Sequence, residues 1–233
     1  VHVHMPELII NGPEGRLECR YSPSANPSAP TALVLHPEPD KNGTMNNRVT
    51  FNTFNLFKER GYSVMRFNFR GVGRSQGIYD MGEGELADAA TAMDWLQAQH
   101  PTSSISWIAG FSFGAWIGMQ LMMRRPEITG FVSLSPPAST HDFAFLAPCP
   151  ASGIIIQGTE NEQVPHTKVE ALVEKISKQK GIEIEIGLID GANHFFSTHL
   201  DEAMLCLSSY LERTRDGLSM PNAAQTEDKQ STS

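Results

Sequence analysis

The sequence predicts an α/β fold in three layers: a mostly parallel sheet with an antiparallel edge at its N-terminal side, covered on both faces by helices. Three observations carry this. Short apolar runs alternate with helix-like stretches from Ala32 to Arg213. Two brief runs divided by Asn11-Gly12-Pro13 precede that alternation. A chain of 233 residues with 40% hydrophobic content suits one domain of this class with a sizeable core.

Taken in order, Glu7–Ile10 and Arg16–Tyr21 read as a hairpin at the sheet edge. Ala32–Leu35 is an apolar strand ending at His36-Pro37, and Asn46 or Asn47 caps the helix that runs to Gly61. Ser63–Phe69 is the next strand, followed by a Gly-rich turn at Arg70–Gly73 and a helix over Glu83–Ala98. Strands are expected at Ser106–Gly110, Gly130–Ser135, Gly153–Gly158 and Ile182–Ile189, with helices at Phe113–Met123, Lys168–Lys178 and His199–Arg213. Residues 5–213 thus form a single domain. Val1–His4 precede Met5 and read as residues added ahead of a natural start, so His2 and His4 are set aside. Residues 214–233 are polar and read as a disordered tail.

Composition narrows the function. The net charge of −8 argues against nucleic acid or an anionic membrane as partner. No apolar stretch is long enough to span a bilayer. Cys19, Cys149 and Cys206 are odd in number and widely spaced, forming neither a CxxC pair nor a disulfide framework, which points to a reducing, cytoplasmic setting. Cys149, within Pro148-Cys149-Pro150, reads as a small buried residue. No His/Cys/Asp cluster has metal spacing, and the glycines of Arg70–Gly73 fit neither a P-loop nor a dinucleotide fingerprint, so no cofactor or metal is implied.

The strongest motif is Gly110-Phe111-Ser112-Phe113-Gly114, entered by the apolar strand Trp107-Ile108-Ala109 and left by Ala115-Trp116-Ile117-Gly118. A Gly-x-Ser-x-Gly in that strand–turn–helix context places a serine on a sharp, strained turn with its hydroxyl exposed. Side chains two residues to either side would collide there, which accounts for both glycines. The helix N-terminus adds partial positive charge beside the oxygen. Ser112 is therefore the candidate nucleophile, against the reading of a chance Gly/Ser turn.

These residues resemble the α/β-hydrolase superfamily, and within it small bacterial serine hydrolases similar in plan to dienelactone hydrolases and acyl esterases. The resemblance rests on His36-Pro37-Glu38-Pro39, Gly43–Asn47, Arg66–Ser75, Gly82–Glu85 with Asp88, Gly110–Gly114 and Gly191–Phe196, and it runs over nearly all of Met5–Arg213. It implies chain order serine, acid, histidine, with the histidine after the last strand. His194, in Gly191-Ala192-Asn193-His194-Phe195-Phe196, holds that place and is the candidate general base. His199 begins the last helix and reads as surface, His36 as loop-shaping, and His100, His141 and His166 as solvated loop residues.

At the acid the chain departs from the pattern it resembles. The resemblance puts an Asp three residues after Gly158, where this chain has Asn161. Three readings stand open. Glu162, preferred over Glu160, reaches the histidine from a neighbouring position; or Asn161 holds the histidine in a weak enzyme; or catalysis is lost. Asp142, after the Gly130–Ser135 strand, is a further, less favoured acid. In a serine protease the Asp-to-Asn change costs roughly 10⁴ in turnover. For the oxyanion hole the resemblance implies the backbone N–H of Phe113 and one from the loop after Ala32–Leu35. Pro37 and Pro39 have no N–H, which leaves Glu38, where the group usually carries a second His.

Arg70 is expected to pair with Glu85 or Asp88 and brace its turn. The stretch between Ser135 and Gly153 is too short for a large cap domain, so the site is expected to be open, lined by Phe111, Phe113 and Phe195. The expected activity is cleavage of a small acyl ester or thioester through a Ser112 acyl-enzyme, with a non-catalytic ligand-binding protein of the same fold as the alternative. A homodimer is compatible with the sequence.

Overall fold

The computed structural model describes residues 6–214, so the readings of Val1–His4 and of the stretch after Arg215 fall outside it. Eight strands make one sheet in the order β1 (Leu8–Gly12), β2 (Gly15–Ser22), β4 (Ser63–Phe67), β3 (Thr31–Leu35), β5 (Ser106–Phe111), β6 (Gly130–Leu134), β7 (Gly153–Gly158) and β8 (Ile184–Ile189). β1 pairs antiparallel with β2, and β2 with β4; all other pairings are parallel. The three-layer α/β arrangement with an antiparallel N-terminal edge is therefore as the sequence predicts.

Every residue of β3 through β7 is buried, as a parallel sheet covered on both faces requires. The strand period of two divides their side chains between two cores. Leu33, Leu35, Ile108 and Ile155 pack with α2 (Glu83–Gln99), α3 (Phe113–Arg124) and α4 (His166–Ile176). Ala32, Val34, Trp107, Ala109, Ile154 and Ile156 face α1 (Arg48–Glu59) and α5 (Leu200–Arg213). Asn47 caps α1, its Oδ1 accepting from the N–H groups of Val49 and Thr50 at 3.0 and 3.3 Å.

Two boundaries differ from expectation for visible reasons. β4 stops at Phe67 because the Ser75 hydroxyl enters the next rung: it accepts the Glu18 N–H at 2.9 Å and donates to the Asn68 carbonyl at 2.6 Å, while the Asn68 N–H still reaches the Glu18 carbonyl. α4 starts at His166, immediately after Pro165, whose carbonyl takes the Lys168 N–H. The segment between β6 and β7 holds one short 3₁₀ turn, Ala144–Leu146, and no cap domain. No helix among the described residues is long and apolar enough to cross a membrane.

β3 is the strand at which the crossovers reverse direction, with β4 on one side and β5 on the other. Such a switch point opens a crevice at the carboxyl ends of the strands. His36 leaves β3 there and Ser112 leaves β5, so the topology brings two widely separated loops to one place.

Candidate active site

Ser112 sits between β5 and α3 at φ 53° and ψ −118°, a strained conformation for a residue with a Cβ. The turn closes tightly. A Cβ on Gly110 would lie 2.2 Å from the Gly114 carbonyl oxygen, and one on Gly114 would lie 2.4 Å from the Leu35 oxygen. The glycines thus close the elbow on itself and set α3 against the end of β3. Ser112 is 8% exposed, and its Oγ lies 3.0 Å from His194 Nε2.

His194 is held by its main chain as well as its ring. Ser135, at the end of β6 with φ 47°, donates from Oγ to the His194 carbonyl at 2.8 Å. The sequence offered no sign of this contact, because a serine after a buried strand is unremarkable by residue type. The ring lies 5.8 Å from that of Phe111 and 5.1 Å from that of Phe195. Burial pushes its pKa down to about 4, assisted by Lys41 and opposed by Glu162.

The group at His194 Nδ1 is Asn161. Its Nδ2 lies 2.9 Å from Nδ1, while its Oδ1 accepts from the N–H groups of Gln163 and Val164, each at 3.0 Å. Asn161 is buried, whereas Glu160 and Glu162 are both exposed and neither hydrogen-bonds the imidazole. The preference for Glu162 is thereby corrected. The Asx turn points the side chain of residue 161 inward and leaves its neighbours facing solvent. Asp142 is exposed too, and its carboxylate accepts the Ala144 N–H at 2.8 Å.

The two expected oxyanion donors belong to segments that meet where Gly114 approaches the Leu35 and His36 carbonyls. Among the described residues neither the Phe113 nor the Glu38 N–H has an acceptor. Phe113 opens α3, where the first N–H groups are unbonded by construction of the helix. His36 is fully buried, with Nδ1 2.7 Å from the Pro37 oxygen and Nε2 accepting the Phe69 N–H at 3.0 Å. Holding the Pro37 carbonyl fixes the plane of the peptide that carries the Glu38 N–H. The Glu38 side chain turns to Lys41, 3.0 Å away.

Other expectations need adjustment. Phe111 is 1% exposed and backs the His194 ring from the core, and Phe113 is fully buried against Phe69, Tyr79 and Trp116. Of the three rings expected to line the pocket, only Phe195 is exposed, at 48%. His100 is a buried residue whose Nε2 lies 2.5 Å from the Tyr21 hydroxyl, because the sheet edge folds over it. His141 is half-buried against Trp116, with rings 4.5 Å apart. Cys149 is buried as expected. No group of three His, Cys, Asp or Glu among the described residues is placed to hold a metal ion.

The two buried imidazoles give a pH dependence of stability. Burial lowers both His36 and His194 from 6.5 to about 4. In the unfolded chain they take up protons as pH falls through 6.5, whereas in the folded protein they stay neutral until about 4. The unfolded state binds more protons in this window, so stability is full above it and is lost as pH falls, by up to about 1.4 kcal/mol per pH unit for each ring. Urea midpoints at pH 7 and pH 5 check this. The midpoint drops at pH 5, and the drop shrinks in His194→Gln; a midpoint indifferent to pH contradicts the assignment.

A strained serine at a strand-to-helix elbow, 3.0 Å from a buried histidine, on an eight-stranded α/β sheet, defines an α/β serine hydrolase. Residues 16–195 match the family described as X-Pro dipeptidyl-peptidase (S15 family), and the chain belongs to it. Similar proteins carry the same plan. An Agrobacterium tumefaciens protein of unknown function, assigned to the alpha/beta hydrolases, is 55% identical with a TM-score of 0.89, over 93% of this chain and 99% of that one. A lidless serine hydrolase from Xanthomonas campestris is 30% identical with a TM-score of 0.81, over 95% of this chain and 99% of that one. An uncharacterized protein of Rickettsia prowazekii is 49% identical over 211 residues, 89% of each chain.

Proposed function

We propose that this serine hydrolase cleaves small carboxylic esters or thioesters in the cytoplasm, through an acyl-enzyme on Ser112 with His194 as general base. The observation that carries the reading is the 3.0 Å contact between Ser112 Oγ and His194 Nε2 on the strained elbow. The serine oxygen attacks the acyl carbon while its proton passes to Nε2, and the N–H groups of Phe113 and Glu38 receive the developing oxyanion. Water then releases the acid by the reverse proton route. The lack of a cap domain among the described residues and the exposed Phe195 ring beside His194 favour a short acyl group.

Asn161 favours a second reading, a ligand-binding protein with weakened or absent turnover. The family's description adds peptide bonds as a substrate class.

A fluorophosphonate probe, with the adduct located by mass spectrometry, separates the first two. The expected result is one adduct on Ser112, absent in Ser112→Ala and formed about 10²-fold more slowly in His194→Gln, the low end for loss of a general base. Folded protein that takes no label refutes the hydrolase reading in favour of the binding protein. Comparing p-nitrophenyl acetate with an X-Pro p-nitroanilide then assigns the substrate class, and faster turnover of the anilide overturns the ester assignment.

A further inference from the structure

We propose that Asn161 fixes the His194 ring in the tautomer that carries its proton on Nε2, so that in the resting protein the ring donates to Ser112 Oγ instead of accepting from it. This deepens the reading of the site as a serine hydrolase and rests on it only for its effect on rate.

The direction of the Asn161 amide follows from its neighbours. Two backbone N–H groups, those of Gln163 and Val164, converge on one atom of the amide at 3.0 Å each. Two donors meet only an acceptor, so that atom is the oxygen. The other atom is then the NH₂ nitrogen, 2.9 Å from His194 Nδ1. An NH₂ group has no lone pair to offer, so Nδ1 must accept and stays bare. A neutral imidazole carries one proton, and here it lies on Nε2, 3.0 Å from Ser112 Oγ.

The consequence for acyl transfer is direct. To attack, the serine oxygen must give its proton to a lone pair on Nε2, and in this tautomer that position is already protonated. The productive form needs the ring proton on Nδ1, where it would meet the Asn161 NH₂ head-on. Turning the amide over would cure that clash but would set the NH₂ against the Gln163 and Val164 donors in a buried site. The productive form is therefore a minor state, and residue 161 sets its population.

An aspartate at the same place reverses the polarity without disturbing the loop. One carboxylate oxygen keeps the two backbone donors, and the other accepts from Nδ1–H. Asn161→Asp is thus expected to raise turnover of p-nitrophenyl acetate by about 10⁴-fold, the reverse of the loss seen when a serine protease aspartate becomes asparagine. A role limited to holding the loop predicts no change, since the loop bonds survive.

The tautomer itself is read without any turnover. Protein labelled with ¹⁵N-histidine, with the His194 signals assigned by their loss in His194→Gln, is expected to show a protonated Nε2 and a bare Nδ1 at pH 7. In Asn161→Asp the proton moves to Nδ1. A proton on Nδ1 in the unsubstituted protein overturns the proposal, as does an unchanged rate in folded Asn161→Asp. Failure of both proteins to react with a fluorophosphonate would instead refute the hydrolase reading, while the proton position still decides this one.

Discussion

Ser112→Ala is expected to lower ester turnover by only about 10²-fold in this chain, and by about 10⁶-fold once Asn161→Asp is in place. The two figures come from one comparison. In a fully armed serine protease, losing the nucleophile costs about 2 × 10⁶ in kcat. Giving the base the wrong tautomer already forfeits about 10⁴ of that, so about 10² remains for the serine to lose. The donors at Phe113 and Glu38 are untouched by either change, and their share persists in every variant. The measurement is kcat for p-nitrophenyl acetate in the unsubstituted protein, the two single variants and the double variant. Strong non-additivity marks residues acting as one unit. Equal losses in the two backgrounds would mean that Asn161 does not limit the chemistry, and the proton argument would fall with it.

That cycle turns on a contact the sequence could not specify. The elbow was legible because its requirements are local: a strand, two glycines around a serine, and a helix, all within one run from Trp107 to Gly118. His194 was legible from chain order after the last strand. The residue at Nδ1 was not, because side-chain length alone allows Glu160 or Glu162 to reach a histidine. What decides is the direction in which the loop presents each side chain, fixed by the bonds from Asn161 Oδ1 to Gln163 and Val164. The polarity of the contact is a further step removed, since it depends on which end of an amide those bonds occupy.

The same division runs through the fold. Element positions followed from apolar periodicity, and their ends strayed by about two residues where a long-range polar contact intervened, as where the Ser75 hydroxyl enters between Glu18 and Asn68. The strand order was not accessible, because placing β3 between β4 and β5 depends on pairings between distant segments. Residues whose role is set by such contacts were misread, as His100 under Tyr21 and Phe111 behind the imidazole, or passed over, as Ser135 on the His194 carbonyl. In each case residue type gave the default environment, and tertiary neighbours supplied another.

The expectation for Arg70 left two partners open, and the structure separates them by function. Glu85 accepts the N–H groups of Gly82 and Asp80 at the start of α2. Asp88 takes the guanidinium through both of its oxygens, at 2.9 and 3.1 Å, and also accepts the Arg70 backbone N–H at 3.0 Å. The two side chains are 7% and 1% exposed. Asp88→Ala is expected to cost about 3–5 kcal/mol, because it leaves a buried guanidinium without its counter-charge. For a domain of this size that is a fall of about 6–20 °C in melting temperature. The double variant Arg70→Met/Asp88→Leu removes both charges and is expected to recover most of the loss, since the penalty lies in the orphaned charge and not in the missing attraction. Calorimetry on the single and double variants checks both statements. A single-variant loss below about 1 kcal/mol, the range of exposed pairs, would mean that water reaches the guanidinium. The effect should also reach the site. Arg70 opens the turn that leads to Tyr79, and the Tyr79 ring lies 6.1 Å from that of Phe113, whose N–H faces the oxyanion in the proposed reaction. Slower Ser112 labelling in Asp88→Ala, measured well below its melting temperature and restored in the double variant, is the expected sign that the ion pair braces the turn behind that donor.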